Sequence, residues 1–570
     1  MAESQPTATL KQKLAKKKFD AEGVALNVKH TLSGIPKLLK SGIVVRNKGA
    51  MGKVNLFRGI AQYRFSCARQ LWYSAYAEPD RVAIIDDFGE ITYKEMLDQA
   101  KALARYLQAN NMGVGGRVGV IARNSRIIPL LLSAKGFCGF NVYLLNVASS
   151  PHQLQECIEE HSLDAVFMDE EFGYHLPADW SKSKTYVAYA EDMDNPKVAN
   201  PEWQTFEQLI AAAPSPSEEK LATFPKQGDI IIMSSGTSGT PKGVRLREPI
   251  YPVALPSIIE RVGWKENLVI QQTASLFHAW GWANVNISIA HRSTVILRRV
   301  FDPVQAMEDL EKYRCRAIIT SPIFIKEQLK AAKAGNYDIE KQEFVVNSGN
   351  ILHEDLLHDL VGFFGPVVRN FYGSTENSVA TLTDAEDILK YPMTTGKPAG
   401  GTRLEILDEK GNPCSPNEVG RIYCRNVMSL RGYTNPRDKA IMQRGLYEIG
   451  DKGYVDENGR LFVLGRADDM IIVGGENIYP RSVEECLFSM PGIRDLYAHG
   501  VSDENTFQRI KVWLVRDDNE AGAALTEEAV QEWVREKLMD PAVPRDVEFM
   551  DELPRNPTGK VMPRLLPGLD

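Results

Sequence analysis

Apolar positions recur with the 3.6-residue period of a helix in some stretches of this chain and as short unbroken runs in others, and the two textures take turns. TYKEMLDQAKALARYLQANN (92–111) places Tyr93, Met96, Leu97, Ala100, Leu103 and Leu107 at helical spacing, and RVGVIA (117–122) follows as a short strand. Similar apolar runs stand at AVFM (165–168), DIIIM (229–233), RAIIT (316–320), EFVVN (343–347) and VVRNFY (367–372), most of them separated by helix-like stretches. Strands without polar positions need cover on both faces, and intervening helices supply it. The pattern therefore predicts a parallel, doubly wound α/β body.

From about residue 400 the texture changes to alternating, glycine-punctuated strands: TRLEILDEKGNPC, VGRIYCRN and RLFVLG. A compact α/β segment follows Asp468, with TEEAVQEWVREKLM as a helix and PRNPTGKVMPRLLPGLD as a charged tail. No repeat of fixed period and no low-complexity tract interrupts this order. The expected division is 1–70 as a basic N-terminal extension, 71–467 as a large domain and 468–570 as a small C-terminal domain.

Composition narrows the class. The 570 residues exceed the roughly 250 to 300 at which a single core stops growing, so more than one domain is expected. Apolar residues at 44% and charged residues at 25% fit an ordinary globular protein, and no run approaches the ~18 apolar residues of a membrane helix. The N-terminus is basic but lacks the apolar core of a secretory signal. Seven scattered cysteines without a CxxC pair point to a reducing, cytoplasmic setting.

Charge is unevenly spread. Residues 1–70 hold 14 Lys and Arg against 3 Asp and Glu, net +11, and the remainder carries net −18. LKQKLAKKKF and GIPKLLKSGIVVRNK mix basic with apolar residues, which suits peripheral contact with an anionic membrane, docking on the acidic body, or a solvated tail. Nucleic acid is not an expected partner, because the body is acidic and the tail lacks interleaved aromatics.

One loop asks for chemistry. MSSGTSGTPKGV (233–244) follows the apolar run Ile230-Ile231-Ile232. Its glycines allow close backbone approach to an anion, and its hydroxyls and lysine add donors and charge. A P-loop would need Gly at 241 and Ser or Thr at 243, where Pro241 and Gly243 stand, so this is a phosphate loop of another kind or a flexible linker. Three further loops offer complementary groups: YGSTE (372–376), LYEIGD (446–451) and GRADD (465–469). An aromatic can stack on a base, a carboxylate can hold Mg²⁺ or ribose hydroxyls, and an arginine can grip phosphate.

In this order and spacing, SSGTSGTPKG, YGSTE, the GD dipeptide, GRADDMIIVGGENIYPRSVEE and PRNPTGK resemble the adenylate-forming superfamily of acyl-CoA synthetases, luciferases and peptide-synthetase adenylation domains, over roughly residues 71–570. The resemblance implies a large domain of parallel α/β sheets with a small β-barrel-like part, and a mobile α+β C-terminal domain. It implies ATP, Mg²⁺ and CoA as co-substrates and metal, and a carboxylic acid as substrate. Ser235, Thr237, Ser238, Gly239, Thr240 and Lys242 would grip the triphosphate while the carboxylate attacks the α-phosphorus.

By the same likeness, Gly349, Tyr372, Gly373 and Ser374 would border the nucleotide, Thr375 would touch phosphate, and Glu376 with Thr237 would hold Mg²⁺. Asp451 would take the ribose hydroxyls, Arg466 would bind ATP, and Lys560 would be the catalytic cation between like-charged reactants. Asp468 matches the hinge about which the small domain turns, and Gly474 and Gly475 would leave room for the pantetheine arm of CoA.

Two positions depart from the family pattern: Ile449 replaces the usual Thr before Gly-Asp, and Arg431 stands where a small or apolar residue is commoner. In HEDLLH (353–358) the histidines are i, i+5 and do not share a helix face, so a zinc site is not expected. His278 and Trp280, in LFHAWGW, are expected at the acyl pocket as wall or gate, with Phe277 and Trp282 beside them. The expected function is activation of a medium- or long-chain fatty acid to its CoA thioester. The alternatives are loading of an acyl carrier protein, a ring-bearing acid such as a sterol side chain, and a non-enzymatic sensor. The last is disfavoured by Lys560, Glu376 and Asp451 together.

Overall fold

A computed structural model describes residues 26–45, 48–234, 242–249, 252–467, 469, 471–473, 476–503, 507–538, 540–556 and 559–569. The expected α/β alternation resolves into two large sheets. In the first, the parallel strands Thr294–Ile296, Val269–Gln272, Ala317–Thr320, Phe344–Asn347 and Val368–Tyr372 lie side by side in that order. The ladder then continues as antiparallel strands through Thr381–Leu382 and Thr394–Pro398 to Leu461–Arg466, Leu446–Val455, Gly420–Arg425 and Arg403–Leu407. The alternating segments after residue 400 thus extend the parallel sheet at its edge.

The second sheet carries Ile230–Ser234 beside Asn141–Leu144, Arg117–Ile121, Ala165–Asp169 and Lys184–Tyr189, all parallel, with Lys242–Leu246 antiparallel at the other side of Ile230–Ser234. Helices fill the space around the sheets. Ile127–Cys138 (IIPLLLSAKGFC) is apolar all round and is buried along its whole length. Tyr93–Ala109 shows the other regime, with one apolar stripe buried and a capping box from Thr92 and Glu95 closing its first turn. A separate three-stranded sheet, Ile493–Asp503, Phe507–Arg516 and Asp546–Met550, has its own core around Leu496, Val512, Val483 and Val530.

The described residues before 71 pack on the body. Residues 26–40 are helical, with Gly34 against Pro256 and an ion pair from Lys37 to Glu260. Gly49–Tyr63 lies on Cys67–Ala77, where Gly59 meets the Trp72 ring and the Tyr73 hydroxyl donates to the carbonyl of Gly52.

A buried ion pair fixes the second sheet's edge. Lys135 Nζ donates to Glu248 Oε2 at 2.6 Å and to the Gly228 carbonyl at 3.2 Å, while Glu248 Oε1 accepts from the Cys67 amide at 2.7 Å. One carboxylate so ties the exit of Lys242–Leu246 to two helices. Lys135→Met strands that carboxylate in the interior and is expected to cost about 3–5 kcal/mol in urea unfolding. Lys135→Met with Glu248→Gln should recover most of the loss. Equal stability of the two variants would show that the pair is not coupled.

Candidate active site

The carboxyl ends of the parallel strands open onto one cleft of about 1950 Å³. That is where ligands are expected in open α/β sheets, because the loops there are the only part of the sheet not covered by helices. Several expected groups follow a parallel strand: His278 and Trp280 after Val269–Gln272, Gly349 after Phe344–Asn347, and Tyr372 to Glu376 at the end of Val368–Tyr372. Lys242, His278, Trp280, Gly349, Tyr372, Gly373, Ser374, Thr375, Glu376, Asp451, Arg466 and Lys560 all line this cleft. The expectations on Ser235, Thr237, Ser238, Gly239, Thr240, Asp468, Gly474 and Gly475 lie outside the described residues.

Asp451 is the electrostatic centre. It sits opposite Arg466 in the ladder between Leu446–Val455 and Leu461–Arg466, with Arg466 Nη1 at 3.6 Å from Oδ1. The Tyr372 hydroxyl donates a short hydrogen bond to Oδ2. Burial raises the Asp451 carboxyl above its ordinary value, and the Tyr372 bond and the charges of Arg466, Arg481 and Lys560 work in the opposite direction. Burial, then the facing carboxylate, pushes the Tyr372 phenol well up, so the tyrosine is the proton donor of the pair.

Glu376 is held by its main chain, whose carbonyl accepts from the Leu430 amide at 2.6 Å, and its Oε1 accepts from the Tyr433 hydroxyl at 3.2 Å. Tyr433 was not singled out from sequence, although it ends the RGY triplet that drew attention to Arg431. A cleft-facing carboxylate held by one neutral donor suits Mg²⁺, which takes one or two carboxylates and completes its shell with phosphate and water. Ser374 Oγ is buried with no partner among the described residues, a hydroxyl left for a ligand.

Two glycines are required here. A Cβ on Gly373 would stand 2.0 Å from the Ser378 carbonyl oxygen, and Gly349 has φ of +95°.

Lys560 reaches the cleft from the small domain. Its amide donates to Asn556 Oδ1 at 2.9 Å, and Asn350 Nδ2 approaches the Gly559 carbonyl at 3.5 Å, so the lysine's loop touches the large domain. The His353 and Phe488 rings meet at 4.0 Å, and Lys326 Nζ donates to the Arg494 carbonyl at 2.5 Å across the same boundary. The contacts that Asn350, Lys326 and His353 make with the small domain had no sequence signal, because each joins residues distant along the chain.

Beyond the polar end the walls turn apolar. Trp280 is pinned by an Nε1 donation to the Thr320 carbonyl at 3.0 Å and by its ring against Phe371 at 4.9 Å. His278 is half-buried, its Nε2 is enclosed with no partner among the described residues, and desolvation lowers its pKa to about 4. Trp282 lines the cleft as expected. Phe277 does not. It turns into the main core. Gln70 and Asn286 line the far part of the cleft with Oε1 and Oδ1 buried and unpartnered among the described residues.

The two departures from the family pattern have local reasons. Ile449 fills the core between the antiparallel strands with Ile406, Ile422, Leu461 and Val463. Arg431 stands 3.5 Å from Asp229, which also receives Arg245 and Arg247.

Comparison with known proteins agrees with this geometry. Residues 71–434 match the family model of AMP-binding enzymes, and residues 482–560 match that of the AMP-binding enzyme C-terminal domain. The chain is 29% identical to a 2-succinylbenzoate–CoA ligase of Geobacillus kaustophilus, over 86% of this chain and 96% of that one. It is 25% identical to a long-chain-fatty-acid–CoA ligase of Bacillus subtilis, over 86% and 92%. A solved o-succinylbenzoate CoA synthetase of Bacillus subtilis in complex with its acyl-adenylate superposes with a TM-score of 0.72 at 23% identity, covering 88% of this chain and 98% of that one. With one cleft gathering these groups and both family models spanning its walls, the chain belongs to the AMP-binding enzyme family, part of the adenylate-forming superfamily, and is an ATP-dependent, AMP-forming ligase.

Proposed function

We propose that this ligase activates a bulky apolar carboxylic acid, a medium- or long-chain fatty acid in first place, and transfers the acyl group to CoA. The observation that carries the reading is the continuity of the cleft. It joins the polar groups around Asp451, Glu376 and Lys560 to a compartment walled by Phe65, Leu255, Ile258, Trp280, Trp282 and Ile287. An apolar acyl group stabilises binding there by leaving water, at about 25 cal/mol per Å².

In the first half-reaction a carboxylate oxygen attacks the α-phosphorus and pyrophosphate leaves. Asp451 orients the nucleotide through the ribose hydroxyls, and Lys560 neutralises the charge that two anions build up on approach. Glu376 with Thr237 would hold Mg²⁺, which when bound would neutralise charge on the phosphates. Desolvation lowers the pKa of His278 to about 4, so it stays neutral at pH 7 and serves as wall. In the second half-reaction the thiol attacks the acyl carbonyl and AMP leaves. Asp468 as hinge, and Gly474 with Gly475 beside the pantetheine path, belong to this step.

A second reading rests on Gln70 and Asn286, whose oxygens stand unpartnered at the apolar end. A buried acceptor without a donor costs about 1–3 kcal/mol, and a hydroxyl carried by a ring far from the carboxylate would satisfy it. This favours a ring-bearing acid such as a hydroxylated sterol side chain.

A pyrophosphate-release screen decides between them. With acids from acetate to palmitate and a hydroxysteroid acid, release should rise at least tenfold from acetate to the best long acid, and thioester should appear only with CoA. Preference for acetate or benzoate would overturn the apolar-acid reading, and preference for the hydroxysteroid acid would establish the second. Lys560→Ala should slow acyl-AMP formation about a hundredfold or more, in the range found on removing one charge-stabilising donor, while thioester formation from supplied acyl-AMP stays within a few-fold of wild type.

Tyr372→Phe tests Asp451. The phenol bond favours the ionised carboxyl, so its loss moves protonation to higher pH by about one unit, the equivalent of one hydrogen bond to a charge. KM for ATP should therefore begin to rise at a pH about one unit higher as the medium is acidified, with the alkaline limb unchanged. An unshifted acid limb would separate Asp451 from nucleotide binding.

A further inference from the structure

We propose that residues 26–45 and 48–63 form a docking face for an anionic lipid bilayer, placed one helix away from the acyl compartment. Its placement beside the acyl compartment rests on the proposed function; the surface itself does not.

Between Gly23 and Ala77 the sequence holds nine Lys and Arg and not one Asp or Glu. In the helix over 26–40, Val28, Leu32, Ile35 and Leu39 are 45–62% exposed. Their spacings of four, three and four residues align them within about 60° of one helix face, away from the Gly34 and Leu38 side that packs on the body. Met51, Val54 and Phe57 of Gly49–Tyr63 are exposed as well, Phe57 by 70%. Seven of the eighteen large apolar side chains that the described residues leave exposed fall in this one segment, so the exposure is local. A concentrated apolar surface of this kind calls for a partner.

Charge selects the partner. Lys29, Lys40, Lys53 and Arg58 are exposed and form no ion pair with a described acidic residue, whereas Lys37 is engaged by Glu260. The basic segment is therefore not spent on the acidic body. An apolar ridge bordered by lysines, on a helix lying along the protein, matches an interfacial helix that sinks side chains among acyl chains and sets its cations at anionic headgroups. A second copy of this chain would bring the same cations face to face.

The location gives the face a use. Leu38 packs with Ile258 and Ile259, and Gly34 lies on Pro256, so the helix over 26–40 rests on Leu255–Val262. Leu255 and Ile258 of that same helix line the acyl compartment. An acid dissolved in the bilayer would meet the enzyme beside its acyl pocket.

The test is cosedimentation of the full chain with vesicles of phosphatidylcholine alone or mixed with phosphatidylglycerol, at 0.1 M salt. Wild type should bind the mixed vesicles at least tenfold more tightly than the neutral ones. Leu32→Asp with Ile35→Asp, and separately Lys29→Glu with Lys40→Glu, should each lower that binding at least tenfold while leaving turnover of a water-soluble acid unchanged. Absence of binding to the mixed vesicles, or equal binding by the variants, would overturn the proposal. So would a dimer in lipid-free sedimentation that the Asp variant dissolves, since the face would then be an interface between copies. Unchanged turnover of the soluble acid separates failure of this face from failure of the functional reading.

Discussion

A buried carboxylate faced by a phenol and three cations is the constraint on which the site depends. Burial opposes the charge on Asp451, and the Tyr372 phenol, Arg466, Arg481 and Lys560 counter it from three directions. These groups come from a parallel strand, the antiparallel extension of the same sheet and the small domain. The edge-to-edge continuation of the first sheet exists in this sense to bring Asp451 to the end of Val368–Tyr372. The same charge explains why the lysine of a separate domain settles at this cleft, since Lys560 meets there a carboxylate that needs a cation.

The site is polar where phosphate chemistry needs fixed dipoles and apolar where an acyl group must leave water. The transition falls at His278 and Trp280, where the indole donates to the Thr320 carbonyl and the imidazole Nε2 is buried without a partner among the described residues. Orphaned acceptors beyond that point are the feature least expected of a plain lipid tunnel. Gln70 comes from Cys67–Ala77, the helix that also receives the N-terminal segment, so the distal pocket and the exposed basic face share a support.

Several features of the site were legible because they depend on local order. Gly373 is needed for close approach to the Ser378 carbonyl a few residues on, and Asp451 and Arg466 oppose each other across a hairpin of two neighbouring strands. Tyr433 on Glu376, Asn350 under the Lys560 loop and His353 against Phe488 were not legible, since each contact joins residues 57 to 209 positions apart or two domains. Phe277 shows the limit within a motif, because composition placed it with the pocket and packing turned it into the core.

By itself the sequence determined the alternation of strands and helices, the change of texture near residue 400, the set of chemical groups and the basic character of the first 70 residues. Those properties follow from side-chain period and identity, which are local. Only tertiary structure decided that the antiparallel strands continue the parallel sheet, that twelve dispersed residues line one cleft, and that the basic segment turns an apolar ridge outward. Register, burial and the choice of which helix face is covered are settled by packing between segments far apart in the chain, and no local pattern carries that information.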